Sequence, residues 1–98
     1  MIDKFKKYKR DRKHHLKKKF GITMIDYENM LILQLSGCSI CGRTIMETGK
    51  PLGIDHNHQT GTVRGLLCNK CNRGLGFLND DTELLLKAIK YLNKWKEN

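Results

Sequence analysis

The spacing of apolar positions changes along the chain, and each change marks out an element. Residues 3–19, DKFKKYKRDRKHHLKKK, are good helix formers with a thin apolar stripe of Phe5, Tyr8 and Leu16, and Gly21 breaks the run. Thr23 then reads as an N-cap with Asp26 at the capping-box position, although that box prefers Glu or Gln. Met24, Tyr27, Met30, Leu31 and Gln34–Leu35 follow at helical spacing, and Ser36–Gly37 ends the helix. Next comes CSICG, a knuckle whose Gly42 permits a tight turn. The period then shifts to that of strands. Residues 51–67 read as a hairpin: PLGID, a polar turn around NHQTG, then TVRGLL. Cys68 to Leu78 suits a short helix. Asp80–Asp81 can cap a last helix whose apolar face is Leu84, Leu85, Ala88, Ile89, Leu92 and Trp95. The stripes at Met24–Leu35 and Leu84–Trp95 are most simply core. The expected order is α, α, knuckle, β-hairpin, α, α, an α+β class with no internal repeat.

Length and charge refine this picture. A chain of 98 residues is at most one small domain, and domains of this size often need a metal or disulfide to fold alone. Of the formal net charge of +9, residues 1–20 carry ten Lys/Arg against only Asp3 and Asp11, while the remainder is close to neutral. Residues 1–20 are therefore expected to be a basic helical arm, and 21–98 the folded domain. A self-repelling arm of that kind implies a polyanionic partner, most economically nucleic acid. Lys6, Lys9, Arg10, Lys13 and Lys17 are its candidate phosphate contacts, and His14 and His15 in the same run read as solvated or near phosphate. No apolar run approaches the roughly 18 residues of a membrane helix. The basic N-terminus has no apolar segment after it, so it does not read as a secretory signal. The expected setting is a reducing cytoplasm, with no membrane partner.

The cysteines fit that setting. All four fall in two Cys-x-x-Cys pairs, Cys38/Cys41 and Cys68/Cys71, and none is left over. Two such pairs separated by a long loop suit a tetrahedral four-thiolate zinc site, and a redox Cys-x-x-Cys does not need a matching second pair. Four sulfurs saturate zinc, so the site is expected to be structural. Asp55, His56 and His58 are left outside it.

Those residues form a second constellation with Asn72. Strict strand alternation would turn Asp55 and His56 to opposite faces, so they share a site only if the chain departs from regular strand geometry there. Asn72 directly follows the last cysteine, although Asn could also simply cap its helix. Asp55 offers a hard carboxylate oxygen and Asn72 a carbonyl oxygen, both suited to Mg²⁺ or Mn²⁺. Histidines titrate near pH 6.5, so an imidazole here is available to take a proton from water near neutrality. The set suits phosphodiester cleavage.

The ordered segments FGITMIDYENM, CSICG, GIDHNH and GTVRGLLCNKCN resemble the HNH, or ββα-metal, nucleases, and within them the phage recombination endonuclease VII family. The resemblance covers roughly residues 20–80. It implies a small zinc-stapled, treble-clef-like ββα-metal domain flanked by the basic N-terminal helix and a C-terminal helix. It also implies a DNA endonuclease, a phage origin, and so the cytoplasm of a host cell. By the same resemblance Asp55 and Asn72 hold a single catalytic divalent ion, Mg²⁺ or Mn²⁺, and His56 is the general base. His58 contacts the scissile phosphate or orients the site, Arg64 meets phosphate, and the products carry 5′-phosphate and 3′-hydroxyl ends. The chain departs from the family's best-known junction-resolving member at Leu75, where that member has an active-site glutamate. A rival reading is a non-catalytic zinc module that binds DNA or RNA, but binding alone has no need of Asp55, His56 and Asn72 together. Monomer and homodimer both remain open.

Overall fold

The computed structural model describes residues 16, 17 and 19–96. The elements in order are α1 (Met24–Leu33), α2 (Ile45–Thr48), β1 (Gly53–His56), β2 (Val63–Leu67), α3 (Asn69–Phe77) and α4 (Thr82–Lys94). Most of the basic arm, including Lys6, Lys9, Arg10, Lys13, His14 and His15, lies outside the described residues. Leu16, Lys17, Lys19 and Phe20 are helical, and Gly21, at φ 70°, breaks the helix as its position predicts. Leu16 is completely buried there, and Phe20 packs beside it. The core therefore reaches into the segment counted as the arm.

The capping box of α1 forms despite its aspartate. Thr23 Oγ1 accepts from Asp26 N–H at 3.1 Å, and Asp26 Oδ2 accepts from Thr23 N–H at 2.9 Å. Tyr27, buried on the inner face of α1, donates its hydroxyl to the Leu52 carbonyl at 2.6 Å and so ties the helix to the chain entering β1. The helix stops at Leu33, because Leu35 and Ser36 take the left-handed conformation that ends it. Gln34, the C-cap, then does what periodicity does not reveal. Its Nε2 donates to the Gly37 and Leu66 carbonyls, each at 2.9 Å, and its Oε1 accepts from Leu66 N–H at 2.9 Å. One amide thus joins α1, the knuckle and β2.

The knuckle closes through Gly42 N–H to the Cys38 carbonyl and Cys38 N–H to the Arg43 carbonyl, both 2.9 Å. Gly42 sits at φ 78°, where an L side chain is disfavoured. A Cβ on Gly37 would stand 2.5 Å from the Gly42 carbonyl oxygen, so only glycine fits. One element was not anticipated: α2, a single turn. Its signal is legible in retrospect, since Thr44-x-x-Glu47 can cap its start and Gly49, at φ 76°, ends it.

The hairpin forms as expected. Gly53 pairs with Leu67, Ile54 with Leu66, Asp55 with Gly65 and His56 with Val63 in antiparallel register. The register shifts between the Asp55 and His56 pairs, leaving Arg64 as an extra residue on β2. In the turn, Asn57 Oδ1 accepts from Gln59 N–H at 2.8 Å and Thr60 N–H at 3.0 Å, an Asx turn that gives Asn57 a structural task. The core lies between the hairpin, α1 and the knuckle: Leu16, Tyr27, Cys38, Leu52, Ile54, Leu66, Leu67 and Cys68. Leu16 and Leu66 are completely buried, and each such side chain contributes about 1.5–3 kcal/mol of apolar burial.

The C-terminal helix corrects an expectation. Asp81 caps α4, its Oδ1 accepting from Glu83 N–H at 2.8 Å, but the face read as core is not buried. Leu84, Leu85 and Ala88 are half-buried, while Ile89, Leu92 and Trp95 are exposed, Trp95 by 68%. An apolar stripe reports that a helix has one apolar face; it does not report what covers that face. The two-stranded sheet is already covered by α1 and α3, and α4 packs closely on neither strand. Among the described residues no helix is long and apolar enough to cross a membrane.

Candidate metal centre and hydrolytic site

The fold brings the two cysteine pairs together. The Sγ atoms of Cys38, Cys41, Cys68 and Cys71 all lie within 4.8 Å of one another. Cys41 and Cys68 Sγ are 3.7 Å apart. A tetrahedral ion with metal–sulfur bonds of about 2.3 Å separates its sulfurs by roughly 3.8 Å, so the cluster has the dimensions of a four-thiolate metal site. Backbone geometry prepares it. Cys38 Sγ accepts from Ile40 N–H at 3.4 Å, and Cys68 Sγ from Cys71 N–H at 3.5 Å as the N-cap of α3. Burial raises the Cys38 thiol, but backbone N–H groups of Cys41, Cys68 and Ile40 outweigh it and bring its pKa down to about 6. Cys71 is pushed up to about 12, by burial first and then by the sulfurs of Cys68, Cys41 and Cys38. The opposite directions reflect how strongly the crowded sulfurs act on one another.

The cluster is also a mechanical joint. Ser39 N–H donates to the Leu66 carbonyl at 3.0 Å, so the knuckle is bonded to the same strand that leads into Cys68. Asn72, one residue past Cys71, lies in the first turn of α3, its N–H donating to the Cys68 carbonyl at 3.0 Å. Its side chain is half-buried, and α3 packs on both strands of the hairpin.

Asp55 is the buried carboxylate of this hairpin, 7% exposed. Arg64, the bulge residue, grips it with a two-pronged bond: Nε to Oδ2 at 2.7 Å and Nη2 to Oδ1 at 2.9 Å. The same Nη2 reaches Asp80 Oδ2 at 3.1 Å, in the turn between α3 and α4. Hydrogen bonding to Asp55 raises the guanidinium above its already high pKa, partial burial opposes this, and Asp80 adds to the rise. The expected departure from regular strand geometry is therefore present, with the extra residue on the returning strand. His56 is half-buried, its ring 5.6 Å from Phe20 and 4.7 Å from the ring of the more exposed His58. Arg64, His58, Asn57, Gly76, Asn79 and Asp80 border a cleft of about 390 Å³, and Arg64 and Asp55 also border a neighbouring one of about 210 Å³.

The hairpin brings Asp55, His56, His58 and Arg64, the residues singled out from the sequence, to one end. Among the described residues, no hydrogen bond joins Asn72 to Asp55 or His56, although the helix that carries it packs on both strands. Lys17 is exposed. Sequence reasoning missed Asp80, which it read only as half of a capping pair. Two adjacent aspartates before a helix were the available signal: Asp81 takes the cap, and Asp80 turns to Arg64.

An antiparallel hairpin running into a helix, with a buried Asp and a His where the first strand ends and a thiol knuckle at its base, is the arrangement of a ββα-metal nuclease domain. The chain belongs to the recombination endonuclease VII family, whose sequence profile matches residues 13–94. It is 45% identical over 76 residues to the Gene 59 protein of Mycobacterium phage D29, covering 76% of this chain and 46% of that protein. It is 43% identical over 74 residues to the Gene 59 protein of Mycobacterium phage L5, covering 74% and 44%. The chain therefore spans just under half the length of these relatives. Among solved structures it is similar to the ββα-Me type II restriction endonuclease Hpy99I, with a TM-score of 0.54 and 42% identity over 60% of this chain and 32% of that one.

Proposed function

We propose that the chain is a DNA endonuclease that hydrolyses phosphodiester bonds with one divalent ion, on a domain held together by structural zinc. The observation that carries this reading is the buried Asp55 followed by His56 at the bulge of the hairpin, on a chain of the endonuclease VII family. The restriction activity named for Hpy99I supports cleavage of DNA as the reaction class. The phage relatives support a phage gene acting in the cytoplasm of its host.

Zinc suits four thiolates and the sulfur spacing described above. The catalytic ion is of another kind, Mg²⁺ or Mn²⁺, because Asp55 and Asn72 offer hard oxygen donors, and a buried carboxylate that already holds a cation suits one. When bound, such an ion polarises the scissile phosphate and stabilises charge on the leaving oxygen. His56 takes a proton from the attacking water at a ring nitrogen, and Phe20 against its ring limits how it can turn. His58, beside it, contacts the phosphate or orients His56. Arg64 meets the phosphate from β2. The basic arm, with Lys6, Lys9, Arg10, Lys13 and Lys17, adds affinity through phosphates and little sequence selectivity.

The test is incubation of the purified, zinc-loaded chain with supercoiled, linear, single-stranded and branched DNA, with and without Mg²⁺ or Mn²⁺. Ion-dependent cleavage ending in 5′-phosphate is the expected result. Binding without cleavage of any form would identify a non-catalytic zinc module instead.

A further inference from the structure

Asp55, Arg64 and Asp80 make a chain of contacts through a single guanidinium. Arg64 covers both oxygens of Asp55, and the nitrogen that touches Oδ1 also touches Asp80. The two carboxylates thus stand one nitrogen apart, on different elements: Asp55 in β1, Asp80 in the turn after α3. A carboxylate buried this deeply requires a counter-charge. Arg64 supplies one that cannot be removed by deprotonation, because guanidinium stays charged at any working pH. Any other cation that uses the same oxygens must displace it.

We propose that Arg64 is a built-in cation that competes with the divalent ion for Asp55, and that Asp80 is the positioning residue that retains the guanidinium when the ion takes Asp55. This rests on the reading of Asp55 as an ion ligand. Three features of the site support such an exchange. Arg64 is 37% exposed, so its release does not require the core to open. It borders both clefts, so it can loosen from Asp55 while remaining against the surface that faces the cleft. Asp80 is free for the task because its neighbour Asp81 carries the helix cap. An arginine retained by Asp80 stands beside the cleft with donors freed from Asp55, where a phosphate oxygen can take them.

The experiment is a Mn²⁺ titration of the zinc-loaded full chain at low salt without DNA, following free Mn²⁺ by electron paramagnetic resonance. Arg64→Met should bind Mn²⁺ about tenfold more tightly, since a competing charge-assisted bond is gone. Arg64→Lys, which keeps charge but loses the fork, should fall between. Asp80→Asn should bind Mn²⁺ about threefold more weakly, because Asp80 shares Nη2 with Asp55 before displacement and holds Arg64 more strongly once the guanidinium has left Asp55. That weakening should shrink in the Arg64→Met background. If neither Arg64 variant binds more tightly, there is no competition. If Asp80→Asn weakens binding as much or more without Arg64, Asp80 acts on the ion directly, and the positioning role is overturned. Asp55→Asn separates the two layers. Mn²⁺ binding unaffected by that change would overturn the assignment of Asp55 itself. Binding lost with Asp55→Asn but indifferent to Arg64 and Asp80 would overturn only the exchange.

Discussion

The cysteine cluster and the Asp55 site bury negative charge in different ways. In the first, four sulfurs stand within 4.8 Å of one another, a set of soft donors that a metal ion can complete. In the second, a carboxylate at 7% exposure is met directly by the guanidinium of Arg64. On the proposed reading, one site is completed by a metal and the other exchanges one cation for another. Their work differs accordingly. Completion of the cysteine site is folding energy, because its ligands come from the knuckle and from the start of α3, far apart in sequence. Exchange at Asp55 involves side chains on a hairpin that is already formed.

That contrast can be broken by experiment. The largest effect should come from the cysteine side: Cys38→Ser, or removal of zinc by a chelator, should abolish the cooperative thermal melt, since structural zinc contributes on the order of 10 kcal/mol in small metal domains. A melt unchanged by chelation would remove the distinction altogether. His56→Ala should leave that melt and DNA affinity nearly intact while lowering the cleavage rate by about 10²–10⁴-fold, read in parallel rate and binding assays. Leu66→Ala, in the strand between the two sites, should cost about 2–5 kcal/mol in urea unfolding. Gln34→Ala should cost about 1–3 kcal/mol by the same measurement, because it leaves the Leu66 N–H and the Gly37 carbonyl without their partner, while the Leu66 carbonyl keeps Ser39 N–H. The smallest effect belongs to Leu92→Ser: at 63% exposure it should move the unfolding free energy by less than about 0.5 kcal/mol. A larger loss would show that α4 is covered in solution.

Truncation sharpens the role of the arm. Leu16 is fully buried, so removing residues 1–12 tests phosphate binding, while removing 1–20 also empties a core position. The shorter truncation should flatten the salt dependence of DNA binding without shifting the melt.

Much of this was legible in the chain. Cap residues act within a few positions, so Thr23, Asp26 and Asp81 announced their helices by local chemistry, and the hairpin followed from alternation around NHQTG. The paired cysteines declared their cluster because four soft ligands at that spacing have few other uses. Periodicity could not say that α4 keeps its apolar face exposed, since coverage depends on what else the fold brings near. Nor could it assign Gln34, whose partners on Leu66 lie 32 residues away. The sequence by itself determined the elements, the thiol cluster and the Asp55–His56 pair, all of them properties of short stretches or of residue type. Only the tertiary structure decided that Arg64 closes on Asp55 and that Asp80 shares it. Hydrogen bonds depend on distance and angle, and three residues on two strands and a turn acquire those only when the bulge and the α3–α4 turn are in place.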